Sequence, residues 1–285
     1  MRPTTDATER AQRRAQERER ERTSANFASN KNAQASYGAQ LRGLARQISR
    51  IIQAFAPETK KAPFEPGDVA RIEQALARYA EAITPWARAT ALRMVGEVNR
   101  RNKTSWQRYT ERMGSALRLE IQNAPVGTTI EALLAEQVDY ITSLPWDAAR
   151  HVQERVLAAL SAGTRPGAQE AEIREALEAA HPEATESWLM NRATLIARTE
   201  TARAASLLTQ ARATHIGSTT YTWKTAGDWK VREGHRRCAH EDRYGLGIGR
   251  YRWDTPPESD PPYHSHPGQI WNCRCVAIPD LPSSG

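Results

Sequence analysis

The spacing of the apolar residues changes near residue 218, and this change is the feature that most constrains the fold. Between residues 37 and 215, apolar side chains recur every three or four positions, which places them along one face of a helix. A clear example is the series Val69, Ile72, Leu76, Tyr79 and Ile83. After Ser218, β-branched and aromatic residues in 219–223 and 273–278 indicate strands. The order predicts an α+β fold, mostly α, with an extended helical N-terminal region followed by a small C-terminal helix-plus-β-sheet domain.

Three segments follow from the same patterns. Residues 1–36 contain little large apolar surface besides Phe27 and are predicted to form a basic arm, disordered or loosely helical. Residues 37–186 form the predicted helical region. Residues 187–285 form the predicted C-terminal α+β domain, in which a long helix runs from about 187 to His215 and Gly217 stops it.

The positive charge is concentrated in the N-terminal part of the chain. Residues 1–113 hold 22 Lys and Arg against 12 Asp and Glu, whereas the whole chain has a net charge of +7. Such a segment can contact nucleic acid or an acidic protein face through the same electrostatic attraction, and the sequence does not choose between them. The candidate contact residues are Arg10, Arg13, Arg14, Arg42, Arg46 and Arg50. Neither a bilayer-spanning apolar run nor a secretory h-region is seen, so we expect no membrane partner.

Cysteine and histidine cluster in the C-terminal segment. The three cysteines are an odd number, which does not fit the disulfide framework of a small secreted domain, so reduced thiols are expected. Close pairs of Cys and His are also the ligands that tetrahedral zinc uses. The candidate metal ligands are Cys238, His240, His264, His266, Cys273 and Cys275. Two interpretations remain open: a structural zinc site, or cysteines packed in the core with histidines bonded to loop carbonyls.

A catalytic interpretation rests on His235, His240, Glu241 and Asp242. A metal-dependent nuclease needs a hydrated divalent ion, a histidine base and a phosphate clamp presented together. Nothing in this spacing imposes that geometry, because the acidic pair is equally typical of a solvated turn. We therefore predict no catalytic residues.

Four sequence pieces in order resemble one known family. They are the helix segment 195–203 (LIARTETAR), the segment from Trp223 through Asp228 and Val231-Arg232 to His235, the triplet His266-Pro267-Gly268, and the terminal Asn272-Cys273-Arg274-Cys275. Together they resemble the Mu F-like domain of phage head morphogenesis proteins over about residues 187–280.

The resemblance implies a minor capsid (head) protein of a tailed bacteriophage, structural rather than enzymatic, acting in head morphogenesis near the portal vertex. The implied partners are the portal protein and the major capsid or scaffold proteins, with residues 37–186 docking on portal or capsid. The implied location is the virion, after assembly in the host cytoplasm. Two alternatives stay open: a DNA-binding virion protein that organises or accompanies packaged double-stranded DNA, and a metal-dependent nuclease.

The family pattern also implies a structural polar network. Its members are Arg198, Glu200, Asp228, Arg232 and His235. Since buried charges must be paired to be tolerated, such a network would fix the long helix against the strands. The alternative is that Arg198 and Glu200 are simply solvated.

Overall fold

A computed structural model of the chain describes residues 27–28, 30–56, 66–111, 113–164, 170–180 and 182–282. Its helices are α1 (Lys31–Gln53), α2 (Pro66–Ala82), α3 (Thr84–Tyr109), α4 (Ser115–Gln122), α5 (Gly127–Thr164), α6 (Glu170–Ala179), α7 (Pro182–His215) and α8 (Glu233–His240). Its strands are β1 (Thr220–Lys224), β2 (Arg250–Arg252), β3 (Glu258–Asp260), β4 (Tyr263–His264) and β5 (Val276–Pro279). The predicted mostly helical α+β class is confirmed.

The strands form one three-stranded sheet and one two-stranded sheet. In the larger sheet the order is β2-β1-β5, and β1 pairs antiparallel with both neighbours. In the smaller sheet β3 pairs antiparallel with β4. Side chains alternate along β1, so that Tyr221 and Trp223 point into the core while the residues between them are half-buried. The two strands expected from the sequence are therefore the centre and one edge of the larger sheet.

The chain forms two compact units built from interleaved segments. The first unit comprises Met1–Lys31, Val95–Glu131 and Thr199–Gly285. Its core joins aromatic residues of the sheet to Trp106 of α3, which is fully buried and packs edge-on against Phe27 at 5.4 Å between ring centroids. Burying one such aromatic side chain stabilises the fold by about 2–3 kcal/mol, so this cluster is a major source of the unit's stability.

The second unit comprises Asn32–Met94 and Ala132–Arg198. It is helical, and its core is the set of apolar stripes that the sequence shows, including Leu41, Leu44, Ile48, Ile72 and Leu76. Buried or half-buried polar pairs join distant helices. In one, the Tyr37 hydroxyl donates to Gln137 at 3.0 Å, and in another Arg192 pairs with Asp147 at 3.2 Å.

The units do not follow the boundaries at 36/37 and 186/187 that the sequence predicts. Helix α1 begins at Lys31, inside the predicted arm, and α7 begins at Pro182 and contributes to both units. Helix α5 runs through Pro145 without a break. None of the described helices is both long and apolar enough to span a bilayer.

Candidate functional site

Three buried side chains with metal-ligating atoms meet in the first unit. The His235 Nδ1 lies 3.6 Å from the Cys273 sulfur and 3.5 Å from the Cys275 sulfur. The ligating atoms of all three residues lie within 4.8 Å of one another. We call these residues the Cys-His cluster. The other histidine nitrogen, Nε2, is buried and has no hydrogen-bond partner among the described residues.

Close backbone packing positions the histidine. His235 lies in the first turn of α8, directly after Gly234. A Cβ on Gly234 would lie 2.1 Å from the Ser259 carbonyl oxygen, so only glycine allows α8 to approach β3 this closely. Since residues three apart share a helix face, His235 and Cys238 both point inward, and both are buried.

A turn before β5 positions the sulfurs. Gly268 adopts φ +83°, and its backbone N–H donates to the Cys273 sulfur at 3.3 Å. The backbone N–H of Cys275 donates to the same sulfur at 3.4 Å. The Ser206 hydroxyl of α7 donates to the Pro267 carbonyl at 2.7 Å and holds the turn. The Cys273 sulfur is therefore surrounded by donors.

The two thiols differ in their ionisation. The hydrogen bond from the Cys275 thiol, with a smaller contribution from His235, lowers the pKa of Cys273 well below its usual range, against the effect of burial. The same contact with Cys273, together with burial, raises the pKa of Cys275. Cys273 is therefore the first of the pair to lose its proton, but its burial keeps it from acting as an accessible nucleophile.

The structure brings together a ligand set that differs from the predicted one. Of the predicted residues, only Cys273 and Cys275 join the cluster, and His235 takes the histidine position. His240 and His264 are exposed, because they lie on the outer side of α8 and on β4. His266 is buried 2.9 Å from the Tyr221 hydroxyl, and burial lowers its pKa to about 4.

Cys238 also lies apart from the cluster. Its sulfur contacts the Arg243 guanidinium at 3.6 Å and the Glu258 carbonyl oxygen at 3.8 Å. Burial raises the pKa of its thiol. Cys238 is therefore packed in the core, which is the alternative to metal binding that the sequence left open.

The C-terminal members of the predicted buried polar network have other partners in the structure. Asp228 is exposed and pairs with Arg274, at 2.6 Å for one of the two hydrogen bonds. Arg232 pairs with Asp260 at 3.3 Å, and His235 joins the two cysteines. These partners follow from loops whose paths the sequence does not reveal. In α7, Arg198 is half-buried and Glu200 is buried.

The predicted nucleic-acid contacts are only partly described. Arg10, Arg13 and Arg14 lie outside the described residues. Arg42, Arg46 and Arg50 follow one another at four-residue spacing on α1, and the last two are exposed while Arg42 is half-buried. They therefore form a stripe on one helix face.

Comparison with known proteins relates part of the chain to a known family. Residues 150–278 match the family model described as phage Mu protein F like protein. The matched residues are similar to the phage Mu protein F-like family, and they make up a little less than half of the chain. The chain is also 31% identical over 169 residues to an uncharacterized protein of Haemophilus influenzae, an alignment that covers 59% of this chain. The chain spans about a third, 33%, of the length of that relative. No solved structure gives a significant match.

The Mu F-like region carries an exposed aromatic surface that the sequence did not indicate. Trp229 is 81% exposed, and Tyr263 and Trp271 are 51% and 46% exposed. The Tyr263 and Trp271 rings pack edge to face at 5.2 Å, and the Arg232 guanidinium lies 5.7 Å from the centre of the Trp271 ring. Trp229 lies three residues before Arg232 in the chain, and we call Trp229, Arg232, Tyr263 and Trp271 the aromatic surface.

Ion pairs neutralise most of the charge beside the aromatic surface. Arg232 pairs with Asp260, and Arg236, which donates to the Trp229 carbonyl at 3.0 Å, pairs with Glu233 at 3.1 Å. A surface that presents aromatic rings and paired arginines resembles the anchor regions of protein–protein interfaces. The Lys230 ammonium, 5.2 Å from the centre of the Trp229 ring, adds one positive charge here, whereas DNA-binding surfaces neutralise several phosphates with Lys and Arg.

Proposed function

We propose that this chain is a minor head protein of a tailed bacteriophage that acts in head morphogenesis at the portal vertex. The observation that supports the proposal most strongly is the match of residues 150–278 to the phage Mu protein F-like family. The role is structural, its place is the virion, and assembly takes place in the host cytoplasm. The burial of His235 with two thiols does not favour a nuclease, because a phosphodiester substrate needs an open site that admits it.

The partner that we propose for the aromatic surface is the portal protein. Trp229 is the natural anchor, since so large an apolar side chain gains most from burial in a partner's pocket. The paired charges around it favour a protein partner over DNA, because they leave little net charge for phosphates. The residues of the aromatic surface lie within the family match.

The experiment is co-sedimentation of the full-length chain with portal oligomers. The double variant Trp229→Ala/Trp271→Ala removes two anchors, and a loss of about 2 kcal/mol, or about 30-fold in affinity, is expected. The matched control is Trp146→Ala, since Trp146 is 47% exposed but lies on α5 in the predicted docking region 37–186. Unchanged binding by the double variant, or loss of binding through Trp146→Ala instead, would refute the aromatic surface as the docking site.

A second candidate function, DNA binding, has its own observation in the arginine stripe of α1. Replacing Arg42, Arg46 and Arg50 by Gln removes three positive charges from one face. If the stripe contacts double-stranded DNA, affinity falls as salt concentration rises. The slope of log affinity against log salt concentration should then be less steep for the variant by roughly two to three. Equal slopes for wild type and variant would exclude the stripe as the contact.

A further inference from the structure

We propose that the Cys-His cluster binds a zinc ion. The three protein ligands are His235 Nδ1 and the sulfurs of Cys273 and Cys275, all of them buried. Zinc binds thiolate and imidazole ligands in one site, and three such groups occupy three corners of the tetrahedron that it prefers. The proposed zinc site is separate from the proposed portal-docking role and does not depend on it.

The distances agree with those of a zinc site. With Zn–S near 2.3 Å and Zn–N near 2.1 Å, tetrahedral geometry places a nitrogen and a sulfur about 3.6 Å apart. The observed separations between His235 Nδ1 and the two sulfurs are 3.6 Å and 3.5 Å. Two of the three separations between ligand atoms therefore already equal those of a zinc site.

The surroundings of the ligands favour the bound form. Two backbone N–H groups, from Gly268 and Cys275, already donate to the Cys273 sulfur, as donors around a metal-bound thiolate do. A proton on His235 Nε2 leaves the lone pair of Nδ1 directed at the sulfurs. Two thiolates balance the charge of Zn²⁺, so the filled site is neutral and tolerates burial.

Binding displaces the two thiol protons to solvent and forms two Zn–S bonds and one Zn–N bond. Among the described residues, no fourth Cys, His, Asp or Glu joins the cluster. A buried water molecule completes the tetrahedron. Since His235 belongs to α8 and the cysteines precede β5, the ion connects two segments that are about 40 residues apart in the chain and lack a disulfide.

The test uses the full-length chain, purified without chelators and without a histidine tag. Elemental analysis is expected to find about one zinc per chain. After the metal is stripped, added CoCl₂ should give the near-ultraviolet thiolate-to-cobalt absorption band, and ZnCl₂ should displace it. Cys273→Ser should abolish the band, whereas Cys238→Ser, which changes a buried thiol outside the cluster, should keep it.

Two results would overturn the zinc site. One is a stripped wild-type chain that remains folded by circular dichroism but shows no thiolate-to-cobalt band at saturating CoCl₂. The other is a Cys238→Ser chain that loses the band while Cys273→Ser retains it. The first measurement needs no variant, so a folding defect in Cys273→Ser does not prevent the test. Either result leaves the cluster as hydrogen-bonded thiols and imidazole, whose distances are the same without an ion.

Discussion

Acidification should destabilise this protein through His266. The imidazole is 4% exposed, and burial lowers its pKa from 6.5 to about 4, against the opposing effect of a hydrogen bond with the Trp253 backbone. In the neutral form, the Tyr221 hydroxyl donates to Nδ1 at 2.9 Å. A proton on Nδ1 would remove that acceptor and place a charge in the aromatic core.

Because the pKa of His266 is lowered in the folded chain, acidification lowers the stability of the fold. The folded chain holds His266 neutral between pH 6.5 and about 4, whereas the unfolded chain binds a proton there. The stability that the neutral form provides is complete above pH 6.5 and is lost as the pH falls toward 4. The full loss is about 3 kcal/mol, and by pH 5 about 2 kcal/mol of it has appeared.

Urea unfolding at about pH 7.5 and about pH 5 measures this loss. The comparison is with His266→Gln, whose amide does not titrate and can still accept from Tyr221. The free energy of unfolding of the wild type should fall by about 2 kcal/mol more than that of the variant. The control His264→Gln changes an exposed histidine and should follow the wild type. Parallel losses in the wild type and His266→Gln would refute the reasoning.

Two further predictions concern packing in the first unit. Gly234→Ala should lower the free energy of unfolding by at least about 2 kcal/mol, because its Cβ would lie 2.1 Å from a carbonyl oxygen of β3. The control is Gly96→Ala on α3, whose added Cβ would meet nothing within 4 Å, so the free energy of unfolding should rise by about 0.5–1 kcal/mol. If both variants lose stability, or if neither does, the close contact at Gly234 is refuted. Asn102→Ala should cost about 2–3 kcal/mol in thermal unfolding, because buried Arg212 donates to its Oδ1 at 2.6 Å. The control Gln107→Ala on the same helix should stay within about 0.5 kcal/mol, and an equal effect of the two changes would refute the buried hydrogen bond.

The helices could be predicted because their signal is local. Ile72 and Leu76 of α2, and Ile83 directly after it, are buried as their three- and four-residue spacing predicts, and Val69 and Tyr79 are half-buried. Helix α5 is different, because a proline inside a helix usually kinks or ends it. The helix instead continues through Pro145, with the Thr142 hydroxyl donating to the Val138 carbonyl at 2.9 Å. Tertiary packing can hold a helix together across a proline, and sequence propensity does not reveal it.

Local spacing predicts only part of the Cys-His cluster. Cys273 and Cys275 are two positions apart in an extended segment, and both sulfurs reach the same imidazole, as their spacing allows. The structure brings His235 to the thiols instead of the predicted His240, His264 or His266, although His235 is 38 residues from Cys273. A signal existed in the short helix 233–240, where His235 and Cys238 share the inward face and His240 does not. That signal becomes clear only once the bounds of α8 are known.

The amino-acid sequence alone determined the mostly helical α+β class, the two strands at the centre and edge of the larger sheet, and the likeness to the Mu F family. The helices and strands depend on residues near one another in the chain, and the likeness depends on the order of short sequence pieces. The tertiary structure alone decided which histidine meets the thiols, which cations pair around Trp229, and how segments far apart combine into each unit. These outcomes depend on the paths of loops and on packing between distant residues, and no local spacing encodes such distances.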